Sequence, residues 1–451
     1  MKNFLSNRRP WAIALLGLGM MLSLAGLAMR ATAAETHGTA APAAHGAAHD
    51  AAPAHGAASH ADAAGHGSAG HAAHGHGVPD AHSVLTQFGY SYLTAYMFCL
   101  SLCAASLYLV FLHHIFDAGW SVPVRRMAEH VSSLMFPWML ILVVPILLLA
   151  TRIYPWITLD PAQDHALDVK KGLFNPTMFY VLVPLLVASW GLIARAFRRN
   201  SLAQDKGGSA VWTGKNRVLA AWGIFYFSLS LTLGVFYLMK SLQHQFFSTM
   251  YGVYYFAGSM WLTFITMYVL ARYFSQPGKP LAGVVGKRQV HDLGVLFFAF
   301  TVFYAYIHFS QYFLIWNAAM PEETFWYVLR EVGTWKWVGF LILFGHFVLP
   351  FVVLLNQDIK SNLVVMIPVA AWAWLMHYVD MTFNIMPVLY PQGLHLSIWD
   401  LLCWPSMVAV LAVLFLKEFR SHPAYPLKDP RLKEAITHHE IPAPGEAAAH
   451  H

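Results

Sequence analysis

From Gln87 onward the chain alternates long apolar runs with short polar segments. Roughly 20 residues at 1.5 Å rise cross a bilayer core, and runs at about 88–116, 130–153, 175–197, 217–240, 250–274, 291–316, 335–356, 362–384 and 395–417 meet that length. No period-two alternation suggests a strand. The pattern predicts an all-α polytopic membrane protein with about ten transmembrane helices, counting a further apolar run at the start. That first run, Trp11 to Met29, follows Lys2, Arg8 and Arg9 and precedes Ala-Thr-Ala-Ala at 31–34. It fits a cleaved signal peptide and a retained helix equally, within residues 1–34. Residues 35–83 are mostly Ala, Gly, His and Pro, too poor in apolar area to offset ordering entropy. A disordered spacer is the plain reading of this segment, although histidine tracts also take up metals adventitiously. The membrane domain then occupies 84–418, and the Pro-rich, charged residues 419–451 read as an extended docking tail or as disorder.

Charge fixes an expected direction. Arg125/Arg126, the cluster Arg195 to Arg217, Lys279 to Arg288, Lys360 and the tail fall on one side. The acidic loop around Asp160 to Asp168 and the pair Glu322/Glu323 fall on the other, with Lys170/Lys171 a mild exception. Basic loops stay cytoplasmic, so the tail is predicted inside and the His-rich segment periplasmic, in a bacterial cytoplasmic membrane. Only 11% of the 451 residues are charged and 57% are hydrophobic, against about 25% charged in soluble domains. The net charge of +6 is thus a matter of topology and calls for no nucleic acid. The three cysteines (Cys99, Cys103, Cys403) lie in apolar runs and make no haem-attachment, iron–sulfur or zinc motif. Trp and Tyr gather at span ends, and Trp326 to Trp337 reads as an interfacial amphipathic segment.

Ionisable groups inside spans are the candidates for chemistry, because the bilayer makes each one costly. His377, Asp380 and Asn384 lie at i, i+3 and i+7, one helix face on which a proton relay can be built; a structural pair is the plainer alternative. Tyr304, His308 and Gln311 form a second stripe, entered by His291 and Asp292 and closed by Pro321, Glu322 and Glu323. A lone membrane histidine is more often structural, which weighs against His308 and more heavily against His346. His113, His114 and His130 stand at span edges and are expected to be solvated. The hydroxyls of Tyr226, Ser228, Ser230, Thr232 and Tyr237 favour packing over conduction. No metal site is assigned, and the histidines at 438–439 and 450–451 have no partner motif.

Several stretches resemble a known family. They are H-D-L at 291–293, Y-I-H-F-S-Q-Y-F-L-I-W at 306–316, P-E-E at 321–323, F-S-T at 247–249 and H-Y-V-D at 377–380; Asn356 with Asp358 and N-I-M-P at 384–387 also fit. Together they resemble the ActF-type membrane subunits of alternative complex III, a quinol:electron-acceptor oxidoreductase, within the NrfD/PsrC-like superfamily. The likeness runs in span order along nearly the whole chain, with its specific motifs between about 247 and 387. It implies two four-helix bundles flanked by one helix at each end, and so a retained first helix. It implies multihaem and monohaem cytochrome c subunits, an iron–sulfur subunit and a homologous ActC-like membrane subunit as partners, with a terminal oxidase as a further one. Haem and iron–sulfur clusters would sit in those partners, and menaquinone or ubiquinone would be the lipid-soluble carrier. Tyr306, His308, Ser310, Gln311, His377 and Asp380, with His291 and Asp292, become candidates for quinone contact or a proton path. One departure stands out: where the family carries carboxylates before F-S-T, this chain has Tyr237 and Gln243 nearby. A path relying on those acids would be rerouted.

Two other function classes compete. A secondary transporter would use the proline-broken helices, although no repeat is evident between the halves. A structural scaffold for periplasmic redox subunits would need the polar faces for assembly only.

Overall fold

The computed structural model describes residues 79–437. The first apolar run, most of the His-rich segment and the terminal histidines lie outside the described residues. Among the described residues there is no strand, and nine helices are long and apolar enough to cross a membrane. They are α1 (Val84–Ile115), α2 (Gly119–Leu148), α3 (Pro176–Gly207), α4 (Val211–Leu238), α5 (Tyr251–Phe274) and α6 (Lys287–Ala318). After the short α7 (Pro321–Glu331) come α8 (Trp335–Leu355), α9 (Leu363–Val388) and α10 (Ile398–Ser421), with α11 (Leu432–Thr437) in the tail. The all-α polytopic reading therefore holds. Helices α1 to α4 pack as one four-helix group, and α5, α6, α8 and α9 as a second. Helix α1 also packs on α5, α9 and α10, which explains why it is the most enclosed span.

Proline shapes the spans. Helix α2 breaks at Phe136, just before Pro137, and tyrosines of α1 serve the carbonyls along the broken stretch. Tyr92 donates to the Leu142 carbonyl at 2.8 Å and Tyr96 to that of Met139 at 3.3 Å. Hydrocarbon offers no water for this, so neighbouring helices must supply the donors. Gly191 of α3 lets the break nestle: a Cβ there would lie 2.5 Å from the Phe136 Cβ. Helix α8 widens into a π-helical stretch at Leu343–Val348, directly before Pro350. Pro350 lacks the N–H that would bond the His346 carbonyl, and its ring crowds that turn. The Trp372 indole donates to the Gly345 carbonyl at 2.8 Å and so satisfies part of the disturbed ladder.

The tail differs from the extended or disordered expectation. Up to residue 437 it folds back on the helix ends, held by charges that are almost fully enclosed. Arg125 pairs with Glu129 (3.1 Å) and Asp429 (2.7 Å), Arg126 with Glu129 (3.2 Å) and Asp205 (2.8 Å), and Arg431 with Asp429 (2.9 Å). Arg431 also pairs with the half-exposed Asp117 at 2.7 Å, so the three arginines face Glu129, Asp205, Asp429 and Asp117. The guanidiniums of Arg431 and Arg125 hold the Asp429 carboxyl well below the usual carboxylate range, against the opposing effect of burial. The same packing overturns the expectation of solvated histidines: His113, His114 and His130 are all buried. Residues 125–126, which read as a basic loop, belong to the first turns of α2 and anchor the tail.

Candidate functional site

Four helices of the second group and one of the first bring polar side chains to a common point inside the membrane domain. On α5, Tyr251, Tyr254 and Trp261 share a face; on α6, Thr301, Tyr304 and His308 do; on α9, His377, Asp380 and Asn384 do. Helix α8 adds His346 from its π-helical stretch, and α1 adds Ser101. Tyr254 donates a short hydrogen bond to Asp380 Oδ1, and its hydroxyl lies 3.2 Å from that of Tyr304. Asn384 Nδ2 donates to Tyr254 Oη (3.0 Å), to Asp380 Oδ1 (3.3 Å) and to the Asp380 carbonyl (2.8 Å). Tyr251 donates in turn to Asn384 Oδ1 at 3.0 Å.

The histidine tautomer follows from its neighbour. Ser101 Oγ donates its one proton to the Phe98 carbonyl at 2.7 Å, so it accepts from His377 Nε2–H at 3.0 Å. That leaves His377 Nδ1 with a lone pair and no partner. His346 is clasped between the rings of Trp261 and Tyr304, with centroids 3.7 and 3.8 Å away, and neither of its nitrogens has a hydrogen-bond partner. Asp380 Oδ2 is also unpartnered, and all three residues are buried. One ligand-type atom from each of His346, His377 and Asp380 lies within 4.8 Å of the other two. Among the described residues this is the group that would suit a metal ion; the same convergence suits a proton passed between a carboxylate and two imidazoles.

A cavity of about 640 Å³ adjoins the cluster, with Tyr304 and His308 in its wall. Phe309, Phe340 and Leu343 line it and are partly exposed on the outer surface of α6 and α8. Its size falls in the common range for small-molecule sites, and its apolar walls face the bilayer. Arg330 of α7 closes one end. Its guanidinium stacks 3.4 Å over Trp326 and donates to the carbonyls of Phe383 (3.0 Å) and Asn384 (2.9 Å). Burial lowers its pKa to about 9, and it makes hydrogen bonds to neutral acceptors, Gln243 Oε1 among them.

His377 and Asp380 lie together in the cluster with His346, and His308 stands at its edge, its ring 5.5 and 5.8 Å from those of Tyr254 and Tyr304. Gln311 also faces inward, but to a separate link in which it accepts from Ser248 (2.9 Å) and donates to Tyr327 (3.1 Å). Tyr306 is 63% exposed on the far side of α6, away from the cluster, and Ser310 is only half-buried. His291 and Asp292 lie at the start of α6, 3.8 Å apart and partly exposed. His346, weighted least in the sequence, is central. Tyr254, Tyr251, Ser101 and Arg330 were missed. Tyr251 and Tyr254 at i and i+3 were a readable signal; Ser101 and Arg330 were not, because neither falls on a polar stripe. The hydroxyls of Ser228, Ser230 and Thr232 are spent on carbonyls of their own helix.

The chain is therefore an all-α, multi-pass membrane protein with a buried His–Asp–Tyr cluster beside a bilayer-facing cavity. No protein-family model matches its sequence, and no curated protein matches it.

Proposed function

We propose that this protein is a membrane subunit of a quinol-oxidising respiratory complex of the alternative complex III type. It would receive a quinol from the bilayer and carry protons, while electrons leave to haem and iron–sulfur clusters in partner subunits. One observation carries the reading: Tyr304 and His308 belong both to the wall of the apolar cavity and to the buried polar cluster.

Oxidising a quinol releases two electrons and two protons, so a site for it needs an apolar slot and a nearby proton acceptor. His308 faces the cavity, and its ring centroid is 5.5 Å from that of Tyr254, which is hydrogen-bonded to Asp380. A proton taken at His308 has a short route through the Tyr254 and Tyr304 hydroxyls to Asp380, and then to His377 Nδ1 or His346. Tyr237 donates to the Leu173 carbonyl and Gln243 accepts from Arg330, so the route relies on Asp380 in place of carboxylates at those positions. On this reading the basic loops and the tail would be cytoplasmic, by the rule that cytoplasmic loops are basic. The partners are those the family resemblance implies: cytochrome c subunits, an iron–sulfur subunit and a homologous membrane subunit.

The test is purification from the native membrane in mild detergent, followed by Asp380→Asn in the intact complex. Haem-bearing partners should co-purify, and the substitution should reduce quinol oxidation and proton release together. Unchanged values for both would remove the relay. Isolation as a lone stable protein whose melting responds to a solute would favour a transporter.

A further inference from the structure

The C-terminal half of α3 carries a second site, unrelated to the polar cluster. Leu192, Arg195, Arg199, Leu202 and Lys206 recur at helical spacing and form one stripe. They line a groove of about 680 Å³ that His422, just beyond α10, closes on one side. The stripe is graded. Leu192 and Ala196 lie toward the membrane body, and Lys206 lies at the last turn, some 21 Å further along at 1.5 Å per residue.

The cations in it are not used up by the fold. Arg198 is committed to Glu418 and also reaches His422 Nδ1 at 3.3 Å. Arg195 is held by its guanidinium, 4.7 Å over the Phe136 ring. Arg199 and Lys206 are exposed, and their side chains have no ion-pair or hydrogen-bond partner among the described residues. Asp205, the nearest acid in sequence, faces Arg126 and the Leu427 N–H on the other side of the helix. The groove is thus cationic from Arg195 to Lys206 and apolar at its Leu192 end.

We propose that this groove binds one anionic phospholipid, with its phosphate between Arg195, Arg199 and Lys206 and an acyl chain along Leu192 and Ala196. Planar guanidiniums match a phosphodiester in two-point hydrogen bonds, and basic pockets between membrane helices recognise such headgroups. A soluble anion would leave the apolar floor unused.

Native mass spectrometry of the full-length chain, delipidated and titrated with phosphatidylglycerol or phosphatidylcholine, decides the matter. The wild-type chain should retain one phosphatidylglycerol where phosphatidylcholine is lost. Arg199→Gln with Lys206→Gln should weaken that binding about thirtyfold, two surface cations being removed. Arg199→Lys, which keeps the charge, should stay within a few-fold. Equal retention of both lipids by the wild type overturns the proposal. So does undiminished phosphatidylglycerol binding by the double variant, or displacement of the lipid by millimolar inorganic phosphate, which would mark a free-anion site. Should the double variant fail to fold, the wild-type lipid preference and the Arg199→Lys result decide alone.

Discussion

His346 lies flat between Trp261 and Tyr304, and its nitrogens, like His377 Nδ1 and Asp380 Oδ2, lack a hydrogen-bond partner. Unpaired polar atoms at this depth cost folding free energy, so their convergence favours a functional reading over a packing one. On the proposed function, replacing Asp380 by Asn should slow quinol oxidation by about a hundredfold or more, the scale of a lost acid–base group. Tyr254→Phe, which deletes one hydrogen bond to the carboxylate, should slow it about tenfold. Haem content of the isolated complex should stay constant in both, which separates turnover from assembly. A metal would compete for the same atoms. Elemental analysis of the purified chain should find zinc, iron, copper and manganese far below one per chain; a stoichiometric metal lost in His346→Ala would replace the relay with a metal centre.

At the scale of the element, two prolines do opposite things to their helices. Before Pro350 the backbone stays helical but widens, which turns His346 toward α5 and α6. Before Pro137 the helix breaks, and α3 fits the break only because Gly191 has no side chain. Gly191→Ala would set its Cβ 2.5 Å from the Phe136 Cβ and 2.6 Å from the Phe136 backbone nitrogen, where no flexible side-chain end can swing away. Unfolding followed in detergent should report a loss of about 1–3 kcal/mol, the usual range for overpacking. A stability equal to that of the wild type would mean the break opens freely. The prolines themselves were evident in the sequence; whether each would widen or break its helix was not, because neighbours such as Trp372 and Gly191 decide how the freed groups are met.

Across the whole molecule, the folded tail ties the ends of α2 and α3 together through enclosed charges. Removing one partner strands the others, so Asp429→Asn should cost about 3 kcal/mol. Arg217→Ala, at an ion pair about half exposed, should cost about 0.5 kcal/mol or less. Equal losses in a denaturant series would show that the enclosed pairs add nothing special. The sign with pH follows from Asp429, whose pKa is lowered by folding. Its contribution is complete above the ordinary carboxylate value of 3.8 and declines as pH falls below it. Wild-type stability should therefore drop more steeply below about pH 4 than that of Asp429→Asn.

Run length and sparse charge determined the spans, because a bilayer sets how many apolar residues a helix needs and penalises ionisable ones inside it. Helical periodicity likewise determined that His377, Asp380 and Asn384 share a face, and Tyr304 with His308 and Gln311. Which faces meet depends on how helices far apart in the chain pack, and no spacing records that. Only the tertiary structure could bring His346 and Ser101 to the cluster, turn Tyr306 outward and set the cavity beside His308. It also converted Arg125 and Arg126 from a loop marker into the buried anchor of the tail, because Asp429, which pairs with Arg125, and the Pro423 carbonyl, which accepts from Arg126, lie about three hundred residues further along the chain.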